Sequence, residues 1–435
     1  MRVSSLVTPT SAAALVGLLA TSVRAQGSLT EASQAAITGE HFLSVLGRRG
    51  DPTAECAYYN YVPVASQAGN FPPNWVQPAV IPANDTTALA KWNSIKAQIP
   101  TNIPVKGTVT GNFSDFTPTY SPSDPDCWWS YDKCTTPKLA GLKPDTISVP
   151  EPMTLGYGFD DGPNCSHNAF YDYLTSQNQK ATMFYIGSNV QNHPLEAQRA
   201  LADGHEICVH TWSHPYMTAV ESESVFAELY YTMQMIKLAT GVTPTCWRPP
   251  YGDIDDRVRA VGAALGLRAI LWQYDSNDWQ VGSVAGITPA TVDANYEALI
   301  ASAGNGTFAT QGTIILTHEL NNYTMQEAIN FYPKLKAAFK ALVPVGVGMN
   351  ISQPYLETNY TLPSFSQYAD GDADTAGTTT SNATASGAST ATGSAASGSA
   401  TAKGGASQAN GASATPLAAT LTTALALLGL AVVLA

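Results

Sequence analysis

Two short segments carry the residue types that hydrolytic chemistry needs. His210 and His214 stand four apart in His-Thr-Trp-Ser-His, and Asp160 and Asp161 stand side by side in Gly-Phe-Asp-Asp-Gly-Pro. On one helical turn, imidazoles four apart face the same way, the spacing with which two histidines bind zinc. Either pair alone is ordinary, a couple of surface histidines or a solvated acidic turn before Gly-Pro. Together, two imidazoles and one carboxylate can hold a divalent cation and leave positions open, as catalytic sites do. A carboxylate that binds the metal is not free to act as a base. Neighbours on a turn point apart, so one of Asp160 and Asp161 should bind the metal and the other should face the water.

The chemistry expected of such a group is attack of activated water on a carbonyl, with a carboxylate taking the proton. The developing oxyanion needs a donor, for example a backbone N–H. The leaving group needs a proton, and His318 is the remaining candidate acid. It can serve only with a nearby carboxylate to keep it protonated, either Asp275 or Asp278. Arg248 has the geometry to hold the base carboxylate bidentately.

Elements must bring these residues together. From about Met153, short apolar runs alternate with amphipathic ones. Met153–Phe159, Ala181–Ile186, Glu206–Val209, Arg268–Trp272 and Thr313–Leu316 read as strands. Asn168–Gln177, Ser222–Thr240, Asp256–Leu265, Pro289–Ser302 and Tyr332–Leu342 read as helices. This alternation predicts an α/β fold with a parallel sheet, open or closed into a barrel. Asp160 and Asp161, His210 and His214, Arg248 and Tyr251, Asp275 and Trp279, and His318 then fall at successive strand ends, the rim where such folds build their sites.

The rest of the chain of 435 residues suggests a route to the cell surface. Residues 1–25 read as a signal peptide, because the apolar stretch is shorter than the about 20 residues of a span. Residues 26–150 form a loop-rich extension with a helix near Ala88–Gln98, and Trp75, Trp128 and Trp129 suggest that it packs against something. Residues 151–355 form the catalytic domain. Residues 370–415 are a Ser/Thr/Ala/Gly-rich stalk that cannot bury enough surface to order itself. Residues 416–435 read as a GPI-attachment signal removed on maturation, with Asn410, or an earlier residue near Gly404–Ser407, as the attachment residue. Asn84, Asn112, Asn164, Asn305, Asn322, Asn350, Asn359 and Asn382 are sequons for N-glycosylation. Six cysteines in an oxidising compartment predict disulfides, with Cys127 and Cys134 close enough for a local bridge. The net charge of −12 argues against a nucleic-acid partner.

Taken in order, Gly-Phe-Asp-Asp-Gly-Pro, His-Thr-Trp-Ser-His, Arg-Pro-Pro-Tyr-Gly-Asp, Asp-Ser-Asn-Asp-Trp and Leu-Thr-His resemble the five motifs of the NodB-type polysaccharide deacetylases. The surroundings are most similar to fungal GPI-anchored chitin deacetylases. The resemblance implies a distorted (β/α) barrel and a divalent metal, Zn2+ before Co2+. It implies that Asp160 is the base and that Asp161, His210 and His214 are the metal ligands. Arg248 would orient Asp160, the N–H of Tyr251 would serve the oxyanion, and Asp275 would tune His318. Trp279 and Leu316 would hold the acetyl methyl group. The implied reaction removes acetate from β-1,4-linked GlcNAc in chitin at the plasma membrane or cell wall. The partners would be chitin or chito-oligosaccharides, wall polysaccharide, and the membrane through the anchor. The alternatives are a deacetylase for another acetylated polysaccharide, such as acetyl xylan, and a non-catalytic wall-binding protein. Gly158 departs from the family pattern, in which Thr or Ser usually opens the first motif.

Overall fold

The structure is a computed structural model that describes residues 51–371, all within one unit spanning Met1–Thr380. The signal peptide, the first part of the extension (26–50), all but the first two residues of the stalk, Asn382, Asn410 and the apolar tail lie outside the described residues. Among the described residues, nine strands carry the fold: β1 (Thr154–Gly156), β2 (Gly158–Gly162), β3 (Thr182–Tyr185), β4 (Glu206–Val209), β5 (Cys246–Trp247), β6 (Arg268–Ala269), β7 (Tyr274–Asp275), β8 (Thr313–Leu316) and β9 (Ala341–Val343). They form two parallel sheets, β2-β3-β4-β5-β6 and β7-β8-β1-β9. A parallel bridge between Asp160 and His318 joins β2 to the end of β8. The chain also runs from β6 directly into β7. The two sheets are thereby joined, and the architecture is the expected α/β barrel in a distorted form.

Residues 153–159, expected as one strand, are two. The Tyr157 N–H donates to Val343 O at 2.8 Å while its carbonyl accepts from Thr182 N at 2.9 Å, so the chain changes partner there. Gly158 follows this switch. A Cβ at that position would lie 2.7 Å from the carbonyl oxygen of Thr182, so glycine lets β2 and β3 approach closely. The helix expected over Tyr332–Leu342 instead spans Asn322–Ala338 and is followed by β9. Its start is fixed by Asn321, whose side chain accepts from the N–H groups of Tyr323 and Thr324. Pro333 lies within the helix, which buried Phe331, Tyr332 and Leu335 hold against the core.

The extension packs against the barrel rather than folding apart from it. Its helix, Thr86–Ile95, buries Trp92 against Phe226, with ring centroids 5.6 Å apart. Phe71 stacks on Trp212 at 5.7 Å. The buried Lys106 ammonium meets Asp255 at 2.6 Å, a pairing that offsets the cost of burying both charges. Disulfides link Cys127 to Cys134, as the spacing suggested, and also Cys56 to Cys165 and Cys208 to Cys246.

Candidate active site

Asp160 and Asp161 end β2, where the backbone changes course. Asp161 has φ of 74°, in the left-handed region that non-glycine residues rarely adopt, and this turns its side chain away from that of Asp160. The turn is held from both sides. The Asn189 side chain donates to Asp161 O at 2.7 Å. Glu319 donates its N–H to Asp160 O at 2.8 Å and accepts from Asn164 N–H at 2.8 Å.

His210 and His214 follow β4, but not on a helical turn. The segment is a loop in which Thr211 and His214 have φ of 65° and 59°. Convergence comes from those two left-handed residues, not from helical spacing. The Nε2 atoms of His210 and His214 lie 3.4 and 3.2 Å from Asp161 Oδ1. His210 Nδ1 is 2.8 Å from the Arg248 carbonyl oxygen, so the proton sits on Nδ1 and Nε2 presents a lone pair to the site. Asp161 Oδ1 is buried and has no hydrogen-bond partner. Burial would raise the Asp161 carboxyl, but His214 and His210 beside it hold it well below the ordinary carboxylate range. Two imidazole lone pairs and a partnerless anionic oxygen within 4.8 Å of one another fit a divalent cation. Two other groups of this kind among the described residues, Asp124 with Cys127 and Cys134 and Glu206 with Cys208 and Cys246, have both sulfurs tied up in a disulfide and fit none.

Arg248 is fully buried, and its Nη1 donates to Asp160 Oδ1 at 2.7 Å. The contact uses one nitrogen rather than the expected fork, and its Nε is spent on the carbonyl of Ile270 at 3.3 Å. Asp160 Oδ2 is left facing the cavity, 3.7 Å from His210 Nε2.

The partner of His318 is not the one the family resemblance implied. Asp278 Oδ1 lies 2.6 Å from His318 Nδ1, and Asp278 Oδ2 accepts the His318 N–H at 3.0 Å. Asp275 instead accepts from Asn277 N–H at 2.8 Å. The reason is local. Asn277 has φ of 55°, so the chain reverses after β7 and brings Asp278 under the imidazole. Burial alone would lower His318, but Asp278, joined by Asp161 and Asp160, raises it to about 10. Burial pushes the Asp275 carboxyl up.

Asp160, Asp161, His210, His214, Asp275 and His318 line one cavity of about 370 Å³ with Tyr251, Trp279 and Leu316, as the motifs suggested. Tyr251 has φ of 58° and stacks on Tyr216 at 4.0 Å. Trp75, Trp129 and Lys133 from the extension, and Tyr216 and Trp272 from the barrel, also line it, although the sequence marks Trp75 and Trp129 only as packing residues and does not single out the others. No spacing marks them. The one signal was an excess of tryptophan in a segment without periodicity. Of the sequons, Asn84, Asn112, Asn305, Asn322, Asn350 and Asn359 are exposed, whereas Asn164 is half-buried and its Nδ2 donates to Leu320 O at 2.8 Å.

A parallel α/β barrel with a two-histidine, one-carboxylate centre and a flanking carboxylate and imidazole defines a metal-assisted hydrolase site. Residues 149–270 match the polysaccharide deacetylase family model. Chitin deacetylase 2 of Cryptococcus neoformans var. grubii is 52% identical over 334 residues, covering 76% of this chain and 72% of that protein. The chitin deacetylase of Amylomyces rouxii is 47% identical over 312 residues, 71% of this chain and 73% of its own. Among solved structures, the chitin deacetylase of Colletotrichum lindemuthianum aligns with a TM-score of 0.44 at 22% identity, over 50% of this chain and 96% of that one. The chain belongs to the polysaccharide deacetylase family.

Proposed function

We propose that this protein removes acetate from the N-acetyl groups of GlcNAc units in chitin. The observation that carries this reading is the pairing of a partnerless Asp161 Oδ1, faced by two imidazoles, with a separately held Asp160. Asp161, His210 and His214 would hold a divalent cation, Zn2+ with Co2+ as the second choice, and it would supply Lewis acidity toward water and the amide carbonyl. Arg248 fixes one oxygen of Asp160, so the other is the base that takes the proton from the attacking water. His318 is clamped at Nδ1 and at its own N–H, so Nε2 is the atom that hands a proton to the departing amine nitrogen. Trp279 and Leu316 enclose the acetyl methyl group, and the Tyr251 N–H serves the carbonyl oxygen as charge builds on it.

Relatives at 47–52% identity that carry the name chitin deacetylase favour chitin over other acetylated glycans. A non-catalytic wall-binding protein would have no need of a base and an acid each held by its own buried partner. The apparent leader, the apolar tail, the sequons and three disulfides support a surface protein held by a GPI anchor. Release of the protein from membranes by a phosphatidylinositol-specific phospholipase checks that; retention after treatment argues against it. The activity is tested by acetate release from chito-oligomers before and after chelation, with zinc or cobalt added back. Release that chelation abolishes and metal restores supports the reading, and no release from any oligomer refutes it.

A further inference from the structure

The extension does more than brace the barrel. Trp75, which reaches the catalytic cavity, is 46% exposed and has φ of 63°, a strained conformation for a large residue. Its N–H donates to Ser188 Oγ at 3.0 Å, and the adjacent Asn74 donates to Asn192 Oδ1 at 2.9 Å. Ser188 and Asn192 lie on the short helix Gly187–Asn192, which leaves the cavity rim just after Ile186. At 1.5 Å per residue, that helix carries the surface roughly 8 Å outward.

At its far end lies a second cleft, of about 430 Å³, with Asn192 and His193 on one wall and Tyr58, Asn60 and Tyr61 on the other. Tyr58 is 87% exposed, an open aromatic face in a molecule that otherwise buries most of its rings. The Tyr58 wall is also tied to the catalytic turn. Cys56 is bridged to Cys165, two residues beyond the Pro163 that ends Asp-Asp-Gly-Pro.

We propose that this cleft is an outer binding site for the same polysaccharide chain, reached from the catalytic cavity across Trp75. The inference rests on the proposed activity for the identity of the chain. Open aromatic faces beside amide side chains suit a sugar polymer, whose rings present C–H faces between hydroxyl and acetamido groups. Trp75 and the Asn74–Asn192 contact make the surface continuous from the cavity to the cleft, so the occupant is a chain long enough to reach both. Substrate length is therefore sensed where the extension meets the barrel.

The test compares chitohexaose with chitotriose on the full chain. Tyr58→Ala should raise the ratio of the hexaose KM to the triose KM about 3- to 10-fold, the size of one lost ring contact. Tyr58→Phe keeps the ring and should retain the wild-type ratio. An active Tyr58→Ala protein with an unchanged ratio overturns the track. Calorimetric titration with chitohexaose separates that failure from failure of the proposed activity. A chain that releases no acetate, yet binds hexaose more weakly after Tyr58→Ala, keeps the track and sinks the activity. Equal binding by wild type and Tyr58→Ala sinks the track whatever the activity.

Discussion

Two charged pairs meet at the barrel rim, and they are built in opposite senses. In one, Arg248 donates to Asp160, so the reactive group is a carboxylate held as an acceptor. In the other, Asp278 accepts from His318, so the reactive group is an imidazole held as a donor. Asp160 and His318 are bridged through the backbone and share one cavity. The buried partner behind each group reinforces whether it takes a proton or gives one away, and for His318 Asp161 and Asp160 add to the effect of Asp278. That is how one rim can supply both halves of an amide hydrolysis.

The comparison can be broken at several points. The largest effect is expected from His210→Ala, which removes one of the three groups proposed to hold the metal. Metal content and acetate release should both fall to background, and unchanged metal content would show that the ligand set is wrong. His318→Gln should leave metal content intact and lower turnover by roughly 10²–10⁴-fold, the usual contribution of a positioned acid. A loss confined to KM would make His318 a binding residue instead.

Asp278→Asn sharpens the comparison through pH. His318 acts in its protonated form, so activity falls as pH rises through its folded pKa, raised to about 10. A cation held by Asp161 cancels that carboxylate's share, which places the limb of the loaded enzyme below 10. Without Asp278 the effect of burial remains, and the limb should drop toward or below the ordinary imidazole value of about 6.5. The loss is then severe at pH 8.5 and slight at pH 5.5. Asp275→Asn should leave the alkaline limb closer to wild type, and the reverse ranking would return the tuning role to Asp275. The smallest effect is expected at Gly158→Thr. Its Cβ would press on the Thr182 carbonyl at 2.7 Å, costing about 1–3 kcal/mol of stability in a thermal melt. A variant as stable as wild type would show that β2 and β3 separate freely.

The same contrast explains what the sequence made legible. The rim could be read because titratable residues follow successive apolar runs, and the parallel α/β fold from the alternation of runs, whereas its closure into a distorted barrel followed only from the family resemblance. His210 and His214 were paired for a reason the structure does not use, since left-handed residues in a loop do the work assigned to a helical turn. Asp278 was named beside Asp275, but choosing between them needed the reversal at Asn277, which leaves no mark in spacing. The split of residues 153–159 at Tyr157 depends on strands far away in sequence. Trp75, Trp129 and Lys133 reach the cavity from a segment without periodicity, so their place depends on tertiary packing alone.

The division of labour within Asp160-Asp161 is the central claim, and Asp160→Asn tests it most directly. Acetate release from chitohexaose and metal content are read on the same sample. The account predicts wild-type metal occupancy with turnover down roughly 10²–10⁴-fold, the loss expected when a positioned base is removed. Near wild-type turnover, or loss of the metal along with activity, would contradict it.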